Sequence, residues 1–225
     1  MEGDVRTATE HNLSHAELGV QTRERLLDAA ESLFAEFGFA ATSVRDITSA
    51  AACNLAAVNY HFRGKQNLYR EVFRRRLTEL RDRRIASISG ARSGAGSLEA
   101  VLGAFATAFL EPLVDHGRGR LLMGLIAREM LDPQLPPELF KSEFVDPVHQ
   151  VLVEAMMTTT PGLTPRSARA CAVAIVGQLL QVAQRESRAR LDPAWEAGLP
   201  PLPEMVAHIV RFSAAGVRAS AGAAE

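Results

Sequence analysis

Asn59 and Tyr60 put an amide and a phenol next to each other in a stretch, Ser43 to Phe62, that reads SVRDITSAAACNLAAVNYHF. On a helix that advances about 100° per residue, Tyr60 and Ala56 both fall near 160° from Val58, flanked by Ala57 and Asn59. One face thus carries two hydrogen-bonding side chains among residues too small to hold the backbone away from a partner. The chemistry this suits is close approach to a flat, polar surface, with an amide able to bond a base edge. A recognition helix lying in a DNA major groove has these requirements.

Two short helices meeting at a corner would position that face. Ser43 and Asn54 are both good N-caps, each followed by apolar residues at helical spacing. In the first helix Val44, Ile47 and Ala51 share a side, and Ser43 with Asp46 forms an S-x-x-D start that sets a carboxylate beside the helix N-terminus. In the second, Leu55, Val58 and Phe62 share the opposite face from Tyr60, so burying that stripe turns the phenol outward.

Residues 22 to about 75 resemble the N-terminal DNA-binding domain of the TetR family of bacterial transcriptional regulators. Several motifs carry the likeness in order: L-x-A-A-x-x-L-F in the first helix, F-G-F before the second, S-V-R-D-I opening it, and Y-H-F-x-x-K closing the third and opening the fourth. One departure is plain: the family's corner is usually A-G-V-S, and here it is Ala51-Ala52-Cys53-Asn54, with alanine where glycine would ease a left-handed backbone. The resemblance implies an all-α chain of about nine helices. An N-terminal three-helix helix-turn-helix domain would be joined to a larger C-terminal helical domain for ligand binding and dimerisation. It further implies a repressor that binds a double-stranded, near-palindromic operator as a homodimer and is released by a small-molecule effector. An activator, or a regulator controlled by a protein partner, is the alternative within DNA binding. Carried over position by position, Thr42, Ser43 and Arg45 would meet DNA at the start of the second helix, Arg45 at a phosphate or a guanine edge. Leu55, Ala56, Ala57 and Asn59 would face bases, and Tyr60, His61 and Lys65 would clamp phosphates. His61 lies only about 60° from Val58 on the wheel, so packing competes with DNA contact there.

Composition agrees with a helical regulator and argues against other classes. Hydrophobic residues make up 47% of the 225 and aromatics only 6%, which suits a core of Ala, Leu and Val on helices. The net charge of −1 conceals a division along the chain. Residues 1–21 hold one basic residue against four acidic ones, giving −3; residues 22–86 hold twelve against eight, giving +4; residues 87–225 hold twelve against fourteen, giving −2. Positive charge is confined to the segment proposed to meet phosphates. Cys53 and Cys171 stand far apart without a metal-ligand or redox spacing, so no cofactor or metal is expected and a reduced, cytoplasmic setting fits. The first twenty residues lack the apolar core of a signal peptide, and no run reaches the length of a membrane span, so no membrane partner is expected. Nucleophile elbow, phosphate-cradling glycine loop and paired metal-ligand histidines are all missing from the sequence, which disfavours an enzyme.

Along the chain, residues 1–20 read as a polar arm, acidic where minor-groove arms are basic. A first helix is expected over 22–37, with Leu26, Ala30, Leu33, Phe34 and Phe37 on one stripe and Gly38 as its αL terminator. A long fourth helix follows from Lys65 to about Ala86. Its arginines at 74, 75, 76, 81, 83 and 84 cannot all face one ligand and read as a solvated face paired with Glu71, Glu79 and Asp82. The segment GARSGAGS over 90–97 reads as a flexible break, so residues 21–86 are taken as the DNA-binding domain and 87–225 as the effector and dimerisation domain. Helices are expected near 98–115, 118–131, 138–159, 165–189 and 202–219, punctuated by prolines.

In the larger domain the candidate effector-pocket residues are Phe105, Phe109, Met123, Ile126, Met130 and Phe144, with Arg128, Glu129, His149 and Gln178 as polar anchors. Ordinary core packing explains a Met or Phe at helical spacing more often than a pocket does, surface pairing is the simpler account of Arg128 beside Glu129, and a satisfied helix residue the commoner account of His149. The candidate dimer interface is Val173, Ala174, Gly177 and Leu180 on one helix and Val206, Ile209, Val210 and Phe212 on another, arranged as a four-helix bundle with a second copy. The same stripes fit an intrachain core. Trp195, in a proline-rich loop, is expected to cover an edge of that core.

Overall fold

The computed structural model describes residues 15–94, 96–114, 118–189 and 200–222. Trp195 and most of the 1–20 arm lie outside the described residues. The regular structure among those described is all helical, with no strand. The helices are α1 (His15–Ala41), α2 (Val44–Ala50), α3 (Ala56–Phe62), α4 (Lys65–Ser93), α5 (Leu98–Val114), α6 (Arg118–Leu131), α7 (Pro137–Phe140), α8 (Asp146–Thr159), α9 (Pro165–Ala189) and α10 (Leu202–Gly222). A π-helical stretch, Lys141–Val145, joins α7 to α8 without a break, which makes nine helical runs among the described residues, as expected.

Two boundaries differ from the sequence reading. The first helix begins at His15 rather than near Thr22, extending into the stretch read as an arm. The fourth runs on to Ser93, through the first half of GARSGAGS: Gly90 and Ala91 stay in the helix, and the later Gly96, at φ 63°, does not. The chain divides into two compact units within α4, Met1–Val72 and Phe73–Glu225.

In the first unit, Leu26, Leu27, Ala30 and Phe34 of α1, Ile47 of α2, Val58 and Phe62 of α3, and Leu68, Tyr69 and Val72 of α4 are buried. Phe34, Phe39 and Tyr69 close on one another, with ring centroids 4.9, 5.1 and 6.0 Å apart. Gly38 makes this possible: its φ of 82° and ψ of 173° lie in a region essentially reserved for glycine, and they interrupt α1 so that the last turn folds back. It is a kink of positive φ rather than the αL terminator expected.

In the second unit, α10 packs on α5 and α9, and α5 also packs against α6, α8 and α9. The core holds Ile88, Leu98, Val101, Leu102, Phe105, Leu152, Met156, Ala172, Ile175, Leu179, Ile209 and Val217. The face of α4 read as solvated is only partly so. Arg74, Arg76, Arg81 and Arg83 do pair with carboxylates, of Glu143, Glu79, Asp82 and Glu111 respectively. Arg76 and Arg84, however, are buried, because they continue the apolar stripe of Leu77, Leu80 and Ile88 at spacings of three and four.

Candidate functional site

The corner between α2 and α3 is built by local hydrogen bonds. Ser43 and Asp46 form a complete capping box: the Asp46 N–H donates to Ser43 Oγ at 3.1 Å, and Asp46 Oδ2 accepts from the Ser43 N–H at 2.9 Å. The Ser43 hydroxyl also donates to Asp46 Oδ2 at 2.6 Å, and these bonds from Ser43 hold the Asp46 carboxyl below its usual value of 3.8. Beyond α2 the N–H groups of Ala52 and Cys53 donate to the carbonyls of Ser49 and Thr48. Ala52 takes the left-handed turn that glycine usually makes, at φ 48°. Asn54 Oδ1 then accepts the Ala56 N–H at 2.9 Å, so Asn54 is the side-chain cap of α3 although Leu55 already has helical angles.

α3 is anchored on its inner side by Val58 and Phe62, with the Arg23 guanidinium 5.3 Å over the Phe62 ring. Its outer side carries Ala56, Asn59 and Tyr60, exposed as the wheel gives, with Ala57 half-buried; Leu55, which the wheel sets on the buried stripe with Val58 and Phe62, is instead exposed, because it stands at the helix start before the first full turn. Tyr60 is 84% exposed, and its ring stands nearly perpendicular to that of His61, with centroids 4.9 Å apart. His61 is half-buried between Tyr60 and Phe62, serving packing and surface together. Ser43 and Arg45 are exposed at the start of α2. Two candidates are placed otherwise. Thr42 is buried, and its hydroxyl donates to the carbonyls of Gly38 at 2.8 Å and Leu33 at 3.2 Å, so it secures the α1–α2 connection instead of facing outward. Lys65 does open α4, after Arg63 and Gly64 turn the chain with φ of 60° and 125°. Its ammonium, however, lies 4.1 Å from the Phe39 ring centroid and is half-buried, which lowers its pKa.

The second unit contains a cavity of about 390 Å³ lined by residues of α4 to α9. Phe105, Phe109, Met123, Ile126, Phe144 and His149 line it, six of the residues selected from the sequence. Gln178 does not, since its amide donates to Ala174 O and Ser213 Oγ, both at 3.4 Å, tying α9 to α10. Arg128 is not among the lining residues, and the side chain of Met130 lies outside the description. Glu129 accepts the N–H groups of Gln134 and Leu135 at 2.9 and 2.7 Å and so closes the end of α6. Among the lining residues that the sequence reading missed are Leu80, Arg84, Pro112, Phe140, Val145 and Leu152. Phe140 and Val145 reach the wall because the π-helical stretch inserts an extra residue into the α7–α8 run, a device common beside functional sites.

On α9 and α10 an apolar face is left uncovered: Val173 is 65% and Phe212 64% exposed, Leu180 is half exposed, and Ala174 and Gly177 lie between. Val206 and Val210 are half-buried, and Ile209 belongs to the protein's own core, one turn-side inward of the face.

Residues 26–72 match the model of bacterial regulatory proteins of the tetR family, and residues 98–217 match that of the C-terminal domain of the HTH-type transcriptional dual regulator CecR. The HTH-type transcriptional regulator AcrR of Shigella flexneri is 30% identical over 159 residues, 66% of this chain and 72% of that protein. The chain belongs to the TetR family. It is a DNA-binding transcriptional regulator of the helix-turn-helix type. The HTH-type transcriptional repressor KstR2 of Rhodococcus jostii is 35% identical over 80 residues, 36% of this chain and 39% of its own. Among solved structures, a transcriptional regulator from Pseudomonas aeruginosa PAO1 has a similar fold, with a TM-score of 0.65 at 18% identity, over 90% of this chain and 92% of that one. Among the described residues no helix is long and apolar enough to cross a membrane, and no group of three His, Cys, Asp or Glu could hold a metal ion.

Proposed function

We propose that this TetR-family regulator is a cytoplasmic repressor that holds a near-palindromic operator as a homodimer and lets go when a small, largely apolar molecule fills the cavity of residues 73–225. In this reading residues 21–86 read DNA, and residues 87–225 dimerise and, with the adjoining part of α4, bind the effector. The observation that carries it is the outer face of α3, where Tyr60 stands in solvent with Asn59 and small residues around it, since no packing requirement explains an aromatic there. Asn59, Leu55, Ala56 and Ala57 face base edges. Ser43, Arg45, Tyr60, His61 and Lys65 meet phosphates, Arg45 with a guanine edge also in reach, while Thr42 positions that surface from beneath. One such helix reads too few base pairs for useful specificity, and the uncovered face of Val173, Ala174, Gly177, Leu180 and Phe212 supports pairing with a second copy. A ligand can release the operator only by preferring one arrangement of the paired heads over the other.

The test begins with sites selected by the purified protein from random DNA. Inverted repeats bound by two copies, with derepression of a reporter carrying that site in a deletion strain, are the expected results. Half-sites bound by one copy would overturn the dimer reading. Reporter output that falls on deletion would favour activation, a reading to which the match with a dual regulator's C-terminal domain gives some support.

A further inference from the structure

Among the described residues the cavity wall is apolar apart from two groups, and both have unmet hydrogen-bonding capacity. Arg84, on α4, is only 7% exposed. Its Nη2 donates to the Phe109 carbonyl at 3.1 Å, and its guanidinium lies over the rings of Phe109, at 4.2 Å, and Phe144, at 5.1 Å. Its Nε is buried and bonds to nothing. Among the described residues no carboxylate lies within salt-bridge distance of it: the nearest in sequence logic, Glu111, pairs with Arg83 at 3.4 Å instead. Burial pushes Arg84 down to about 10, which still leaves it a cation at neutral pH. On the same wall, His149 Nε2 is buried without a partner.

Glu111 acts on Arg84 only from a distance. A buried cation with no salt-bridged partner is costly, and proteins keep such groups where a partner arrives from outside. Two aromatic faces hold the Arg84 plane and a backbone carbonyl holds one of its nitrogens, so the fork is fixed in direction before any ligand enters. Planar, pre-oriented guanidinium groups bind carboxylates through two parallel N–H donors. The walls around it, Phe105, Phe109, Ile126, Phe144 and Leu152, offer only hydrophobic contact to the rest of a ligand.

We propose that the effector of this regulator is an amphiphilic organic anion: a carboxylate received by Arg84, with His149 as the second polar contact, on an apolar or aromatic body that fills the cavity. This rests on the reading of the cavity as the effector site and adds the sign of the ligand's charge.

Three probes of nearly equal shape separate the possibilities: 4-phenylbutyrate, 4-phenylbutanol and 4-phenylbutylamine, titrated calorimetrically into the full-length protein. The carboxylate is expected to bind at least tenfold more tightly than the alcohol, and the amine not at all. In Arg84→Gln the preference for the carboxylate should vanish while the alcohol binds as before; Arg84→Glu should favour the amine. Equal affinity for alcohol and carboxylate in the unaltered protein would overturn the anion inference and leave the cavity reading standing. Failure of all three to bind the folded protein would overturn both. Because the comparison among probes is made on the unaltered protein, it decides the matter even if substitution at Arg84 prevents folding.

Discussion

Each of the two compact units gathers its aromatic side chains, and they do opposite things with them. In the first, Tyr69 meets Phe34 and Phe39 edge to face while those two stack, and the three make a solid cluster. In the second, Phe105 with Phe109 and Phe140 with Phe144 make the same kinds of contact, at 5.7 and 5.2 Å, yet the two pairs stand around about 390 Å³ of space. On the function proposed above, the difference follows from what each unit would have to do. A helix that reads bases has to be held at a fixed angle, and a close-packed core does that. A unit that answers a ligand needs a core whose packing is incomplete until the ligand arrives.

The sharpest way to break this contrast is to remove one ring from each unit. Phe34 is fully buried, so Phe34→Ala should lower stability by about 3–5 kcal/mol, the usual cost of a core phenylalanine, and unfold the reading head first. Phe140 is 40% exposed at the cavity rim, and Phe140→Ala should cost about 1 kcal/mol or less. Urea melts followed by circular dichroism measure both; equal losses would mean that the second core is as closed as the first.

The outer face of α3 separates binding from stability. Tyr60→Ala should leave the melting curve unchanged within about 0.5 kcal/mol, since the ring is exposed. It should weaken every operator alike and reduce the salt slope by about one unit. Asn59→Ala should instead cost about 1–3 kcal/mol on the preferred site and little on others. Gel-shift titrations of both variants at two salt concentrations distinguish these outcomes, and identical behaviour of the two would remove the distinction between phosphate and base contacts.

The two units were also unequally legible in the sequence. Everything that shapes the α2–α3 corner lies within twenty residues, so caps, wheel positions and motif order predict which way Asn59 and Tyr60 face. Thr42 escaped because its partners, Leu33 and Gly38, depend on the kink at Gly38, which propensity alone describes as a helix end. The cavity wall runs from Leu80 to Ala183 across six helices, and no local pattern records which faces converge. Phenylalanines were found there because aromatic residues are few in this chain, 6% of it, and stand out at helical spacing. Arg84 was hidden among other arginines, although its spacing from Leu77, Leu80 and Ile88 carried the signal. Ile209 was misplaced because a stripe on α10 wide enough to serve both core and surface does not show where one becomes the other.

Smaller effects probe how the reading head is held. Ser43→Ala removes the cap of α2 and should cost about 1 kcal/mol at neutral pH. The linked carboxyl adds a pH signature. Asp46 is held below 3.8 in the folded state, so its contribution is complete above that value and is lost as the pH falls through the lower, folded one. Acid melts of Ser43→Ala should therefore be flatter below pH 3.8 than those of the unaltered protein. A parallel pair of acid limbs would show that the capping box carries none of the pH dependence.

The least effect should come from Ala52→Gly, and its sign is the informative part. Ala52 holds φ at 48°, where a side chain with a Cβ costs about 1–2 kcal/mol and glycine almost nothing. Against that, glycine gains conformational freedom in the unfolded chain, worth about 0.4–1 kcal/mol in the opposite direction. Ala52 is exposed, so no packing is lost with its methyl group. The balance favours the variant by about 0.5–1 kcal/mol, a gain that chemical denaturation resolves if the reading head unfolds as its own transition. The corner angle also bears on α3, so operator affinity should stay level or rise slightly. A loss of stability would mean that the turn relaxes away from φ 48° in solution, and a loss of affinity alone would mean that alanine fixes an angle the operator requires.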